Sequence, residues 1–141
     1  MAVTGCIAGE VYVTSLAKGN ILGKLESFGG SINAIFTAEN HTLIAPQCDG
    51  VYWTDINKFK RIFHSPAEIS ASSIVRVHSP HNYAISDLEG NIHLLDYRAP
   101  MNIIAKLRAG NSIHALEAKG SQLFAACEDG NTRMFDLAKV L

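Results

Sequence analysis

Apolar and polar positions alternate with a period of two along most of this chain, in short runs punctuated by glycine. "AGEVYVTSL", "DGVYWTDI", "EGNIHLLDY" and "DGNTRMFDL" each open on a turn glycine (Gly9, Gly50, Gly90, Gly130) and close on a polar residue (Ser15, Asp55, Asp96, Asp136). Alternation rich in β-branched and aromatic residues predicts half-buried strands, and no stretch shows a helical period. The glycines are 41, 40 and 40 positions apart, and the closing polar residues 40, 41 and 40. Such spacing marks an internal repeat.

A second column begins with Ser-Ile, at Ser31, Ser73 and Ser112, and precedes its glycine turn by 17 to 19 residues. Apolar runs lie between the two columns: "TLIAPQC", "NYAISDL" and "QLFAACE". Each unit therefore predicts four short strands: the Ser-Ile strand, the apolar strand, the strand after the turn, and a fourth. The fourth segments are "NILGKLES", "RIFHS" and "NIIAKLR". Glycine permits positive φ at the tight turn, and an acid before it can accept from nearby backbone amides.

Four antiparallel strands in about 40 residues is the plan of a β-propeller blade. Over essentially its whole length the chain resembles the WD-repeat family. The residues that carry the resemblance are the turns Asp49-Gly50, Glu89-Gly90 and Asp129-Gly130 and the dipeptides Thr54-Asp55, Leu95-Asp96 and Phe135-Asp136. The resemblance implies that the dipeptide closes the third strand of each blade. It also implies a non-catalytic protein–protein interaction scaffold whose loops contact partners. The repeats are divergent: the dipeptide lacks its Trp throughout, and the first copy reads Thr14-Ser15. Gly29-Gly30 and Gly110-Asn111 stand where the family has Gly-His, so the hydrogen-bonded tetrad built on that His is not expected. Residues 42–55 are the weakest copy, being one residue short after Gly50, and they also carry Pro46, which should sit poorly in an interior strand.

The expected fold is all-β, a single β-propeller segment with blades at 1–28, 29–70, 71–109 and 110–141. The first copy is expected to begin at its second strand and the last to end after its third. Fourteen strands in a three, four, four, three division make about three and a half blades, where closed propellers use about four to eight. If each outer sheet showed a broad apolar face of ~500 Å², covering one would be worth on the order of 12 kcal/mol at ~25 cal/mol per Å². That rivals the ~5–15 kcal/mol stability of a whole domain. Three arrangements answer it: a segment of a larger propeller, a homodimer of two arcs, or a small four-bladed ring using the tail as an extra strand.

Composition narrows the partners. With 48% apolar and 18% charged residues in 141 the chain should fold, and a net charge of −1 gives no case for nucleic acid or an anionic membrane. The basic knot Lys58-Phe59-Lys60-Arg61 reads as a solvated turn rather than a phosphate contact. No apolar stretch reaches the ~18–20 residues of a membrane span. An N-terminus without the features of a signal peptide and an odd count of 3 cysteines point to an intracellular protein, cytoplasmic or nuclear. A protein partner, or complementation by further blades, is expected.

No residue stands out as catalytic, metal-binding or cofactor-binding, and no cofactor is expected. Cys6, Cys48 and Cys127 share one column just before the turn, with Asp87 in the same place in the third copy. A shared column reads as a structural role for buried thiols. His78-Ser79-Pro80-His81 is a weak metal signal without a thiol or carboxylate at ligand spacing, and His93 and His114 fall in other columns. Ser112 and His114 lie two apart on a strand, on one face, but lack a third group to orient a base. Phe28-Gly29-Gly30-Ser31 reads as the link into the next blade. Glu26, Arg108, Lys119 and the loops around His78 could reach a propeller face, without ranking. The competing reading is the propeller portion of an enzyme whose catalytic residues lie elsewhere. A weaker one is an open sheet edge, at 1–6 or 132–137, that pairs with a partner's strands.

Overall fold

The computed structural model describes residues 1–25, 27–37, 41–46, 50–65, 69–77, 81–96, 98–99 and 102–140. The chain divides into two compact units, Met1–Ser70 and Ala71–Leu141. The first holds a sheet of β1 (Ala2–Gly5), β2 (Val11–Thr14) and β3 (Ile21–Lys24), and a sheet of β4 (Ile32–Thr37), β5 (Thr42–Pro46), β6 (Tyr52–Asp55) and β7 (Lys60–His64). The second holds a sheet of β8 (Ala71–Val77), β9 (Asn82–Asp87), β10 (Asn91–Asp96) and β11 (Ile103–Arg108), and a sheet of β12 (Ile113–Lys119), β13 (Gln122–Cys127) and β14 (Thr132–Asp136). Each sheet is an antiparallel meander in chain order. Among the described residues β1 pairs with β2 alone and β14 with β13 alone, so both present an open edge.

Alternation sets the packing. In the first unit Val11, Leu25, Phe28 and Ile44 form a core with Val3, Ile32, Tyr52 and Phe59 around it. In the second, Ile92 and Leu94 of β10 meet Ile113, Leu116, Leu123 and Ala125 of the fourth sheet. Hydroxyls fasten the same two sheets: Ser72 Oγ donates to the Ile113 carbonyl (2.6 Å), and Ser73 Oγ accepts the Leu116 amide (3.2 Å).

Why the same turn and the same strand exit recur follows from backbone hydrogen bonds. The amides of Gly9, Gly90 and Gly130 donate to the carbonyls of Cys6, Asp87 and Cys127, at 3.1, 3.4 and 3.1 Å. The three glycines have φ of +83°, +87° and +82°, the conformation that closes a hairpin of this length. At the strand exit the polar side chain caps the next turn. Asp55 Oδ1 accepts the amides of Asn57 (2.9 Å) and Lys58 (3.2 Å). Asp96 Oδ1 accepts that of Arg98 (2.9 Å), Asp136 Oδ1 that of Ala138 (3.1 Å), and Ser15 Oγ that of Lys18 (3.2 Å). Removing one such cap with Asp55→Ala is expected to cost about 1 kcal/mol, read as a lower urea midpoint with unchanged slope.

Five expectations need correction. The Ser-Ile column is displaced in the third copy. Each first strand has a bulge, with Asn33, Ser72 or His114 as the extra residue. The bulge aligns Ser31 and Ser112 with Ser70, not with Ser73. Four residues separate β4 from β5 and β8 from β9 but only two separate β12 from β13, so counting back from the glycine turn puts Ser73 closer than Ser70 to the distance of Ser112. Because His114 is itself the bulge residue, simple alternation does not put it on one face with Ser112.

Pro46 is accommodated at the end of β5. It opposes Ile32 of β4, while the ladder to β6 stops at Ile44–Tyr52, so the missing N–H costs no interior bond. The tail forms a 3-10 turn, Leu137–Lys139, capped by Asp136, instead of an extra strand. Lastly, the outer faces of the end sheets are mixed. On the first sheet, the face turned from the second carries Ala2 and the exposed Ile21 beside Thr4, Tyr12, Thr14 and Lys24. On the fourth, Phe124 and Met134 share their face with Glu117, Lys119 and Thr132. The hydrophobic gain from covering either face is correspondingly smaller than a broad apolar face would supply.

Candidate interaction surface

The fourth strands repeat a feature of their own. The register between β2 and β3 shifts after Val13–Gly23, because Thr14 opposes Ile21, and Leu22 is extra. Between β6 and β7, Trp53 opposes Phe63 and Thr54 opposes Arg61, leaving Ile62 extra. Between β10 and β11, Leu94 opposes Ala105 and Leu95 opposes Ile103, leaving Ile104 extra. A bulge re-aims the extra side chain and interrupts pairing. In all three sheets that side chain is aliphatic and half exposed: Leu22 46%, Ile62 50% and Ile104 46%.

These strands are also basic. They carry Lys24, Lys60, Arg61, Lys106 and Arg108 and no acid. Lys24 is paired with Glu10, whose other oxygen accepts the Tyr12 hydroxyl (2.9 Å). The Lys24 bond, and secondarily the Tyr12 hydroxyl, hold the Glu10 carboxyl below its usual value. The Arg61 guanidinium lies 4.4 Å from the centre of the Phe28 ring and 4.8 Å from that of Tyr52, and donates to the Ser27 carbonyl (2.8 Å). Tyr52 stacks on His64 with centroids 4.2 Å apart. The basic knot is thus partly a packing device, with Phe59 set against Gly23 and Arg61 over two rings.

The third sheet holds a buried polar cluster at its turn. Asp87 Oδ1 accepts the amides of Glu89 (3.0 Å) and Asn91 (2.8 Å). Its Oδ2 accepts Asn91 Nδ2 (2.9 Å) and His93 Nε2 (3.0 Å). Burial by itself would raise the Asp87 carboxyl, but the His93 and Asn91 hydrogen bonds outweigh it and hold the carboxyl below its usual value. The two backbone amides and Asn91 Nδ2 require acceptor oxygens, and with the carboxylate ionised the His93 contact is one that Nε2–H donates. His93 Nδ1 and Asn91 Oδ1 are buried and have no hydrogen-bond partner among the described residues. The cluster locks the turn's backbone, while the imidazole is oriented toward no hydroxyl among those residues.

Of the residues singled out in the sequence, Cys127 is buried in the second unit's core and Cys6 is half-buried, both as free thiols. Cys48, Glu26 and His78-Ser79-Pro80 lie outside the described residues. His114 and Lys119 are exposed on β12, and Arg108 is exposed on β11. Phe28 is buried, and its amide donates to the Gly9 carbonyl (2.8 Å), consistent with a link between sheets. Asp87 and His93, read separately in the sequence, are brought together by the hairpin. The bulge residues were missed, although "NILGK" and "NIIAK" share a detectable signal, two aliphatics followed within three positions by a lysine. No helix of the described residues is long and apolar enough to cross a membrane.

No protein-family model and no curated protein sequence matches the chain. Solved structures do. The computationally designed Ika4 protein superposes with a TM-score of 0.84 at 14% identity, over 96% of this chain and 84% of that one. The computationally designed Ika8 protein gives 0.82 at 14% identity, over 95% of this chain and 42% of that one. The Cps50 (Swd1) β-propeller domain of Myceliophteria thermophila gives 0.81 at 18% identity, over 95% and 47%. The fold is therefore all-β and of β-propeller type, four antiparallel sheets built as blades. The chain spans less than half the length of the Ika8 and Cps50 structures.

Proposed function

We propose that the chain is a non-catalytic protein–protein interaction scaffold of WD-repeat type, working as a segment of a larger propeller or assembly. The observation that carries this reading is the half-exposed aliphatic residue at the same bulge of three outer strands, Leu22, Ile62 and Ile104. The cations and the bulges of these strands protect an edge, but a large apolar side chain placed at each bulge adds nothing to that protection. Repetition in three sheets argues for a common use, and half-exposed aliphatic side chains beside cations suit a protein surface. The WD-repeat assignment draws on the turn and dipeptide columns and on the likeness to a β-propeller domain. Membership in something longer draws on the open edges of β1 and β14 and on the length of the matched propeller.

The test is capture of the native protein's partner by Leu22→Ser, Ile62→Ser, Ile104→Ser and wild type in parallel. The triple variant is expected to keep the wild-type circular dichroism and to lose the stoichiometric protein that wild type retains. Equal retention by both would remove the reading. Light scattering on the same samples separates a second copy of the chain from a different partner.

A further inference from the structure

We infer that β11, the outer strand of the third sheet, docks an acidic segment bearing aliphatic side chains; the inference deepens the scaffold reading and rests on it. Ile103 and Ile104 are 42% and 46% exposed, and Lys106 and Arg108 are exposed beyond them on the same strand. Neither cation has a salt bridge among the described residues. The other outer strands differ: Lys24 is paired with Glu10, and on β7 Arg61 is committed to Phe28, Tyr52 and the Ser27 carbonyl, which leaves the exposed Lys60 there as a single cation. β11 is thus where two adjacent cations and two adjacent isoleucines stand together unengaged.

Register gives the strip its geometry. Ile103 opposes Leu95, Lys106 opposes His93 and Arg108 opposes Asn91, so the three share one side of the sheet with Ile104 thrown out at the bulge. From Ile103 to Arg108 the strip runs about 16 Å at ~3.3 Å per residue. The bulge interrupts the edge, which disfavours continuous addition of a partner strand and leaves recognition to side chains. Two cations with no acid on the strand select a negative partner by charge complementarity, and the isoleucines select an aliphatic one. A lipid surface fits less well. The isoleucines are half sunk along a strand and do not project from a loop tip, and two cations fall short of the 4–8 that mark basic membrane-binding clusters, at roughly 1 kcal/mol each.

The probe is a short labelled peptide of alternating Leu and Glu, followed by fluorescence anisotropy with the full chain. Its counterpart of alternating Leu and Lys should not bind. Lys106→Glu with Arg108→Glu is expected to weaken binding by about tenfold or more, and added salt should weaken it in wild type. Ile103→Ser with Ile104→Ser should weaken it by a similar factor without removing the salt dependence. All four positions are exposed, and circular dichroism of each variant checks that it is folded. Equal binding by wild type and both variants overturns the inference. So does variant-sensitive sedimentation with phosphatidylserine vesicles in the absence of peptide binding, which would make lipid the occupant. If the acidic peptide fails while the Leu22, Ile62, Ile104 variant still loses its captured partner, the partner chemistry falls and the scaffold reading stands.

Discussion

Gly90→Ala is expected to cost about 3 kcal/mol of folding stability, and Gly130→Ala, at the equivalent turn of the next sheet, only about 1. The two glycines have nearly the same φ, +87° and +82°, so the backbone strain of an L-residue is shared. Their surroundings differ. A Cβ on Gly90 would lie 2.6 Å from the carbonyl oxygen and 2.8 Å from the amide nitrogen of Asn111, while one on Gly130 meets nothing within 4 Å. Backbone atoms cannot swing aside as a side-chain tip does, so the first substitution must displace the approach to the fourth sheet. Urea unfolding of both variants measures the difference. Equal midpoints would show that conformation alone, and not the close approach, requires glycine at position 90.

Asp87→Ala is expected to cost about 3 kcal/mol, comparable to the glycine clash but electrostatic in origin. The carboxylate accepts four hydrogen bonds, and its loss strands the Asn91 amide and the His93 Nε2–H in a buried site. Asp87→Asn should cost less, because one amide oxygen still accepts the two backbone N–H groups. The sign of the pH dependence follows from the lowered folded value. Stability from ionised Asp87 is complete above the unfolded carboxyl value of 3.8 and is lost as pH falls through the folded value below it. The gap between wild type and Asp87→Ala should therefore be constant above about pH 5 and shrink on acidification below about pH 4. A gap that stays constant to pH 2 would mean that the carboxylate's charge contributes nothing there.

Much of the architecture was legible because a blade is local. Each strand pair is joined by a short turn, so glycine and aspartate columns report the hairpins directly, and the three, four, four, three division of strands could be counted from them. Bulges were not legible. They arise where a register slips by one residue between two strands, which is a property of the pair, and the one trace in the strands themselves, the shared aliphatic pair and lysine of "NILGK" and "NIIAK", does not say which residue is extra. That is why Leu22, Ile62 and Ile104 read as ordinary strand residues, whereas Ser73 passed for the partner of Ser31 and Ser112 because the connections between strands differ in length. The buried cluster was hidden for a related reason. Asp87 and His93 meet only because Asp87 sits at the end of β9 while His93 projects from the same face of β10.

The amino-acid sequence alone determined the period of about 40, the strand order and the chemistry of the turns, because those depend on residues close together along the chain. Tertiary structure alone decided which aliphatic side chains face outward, which lysines are neutralised and which carboxylate is buried. Exposure and pairing are set by neighbouring strands and sheets, and no single run of residues carries that information.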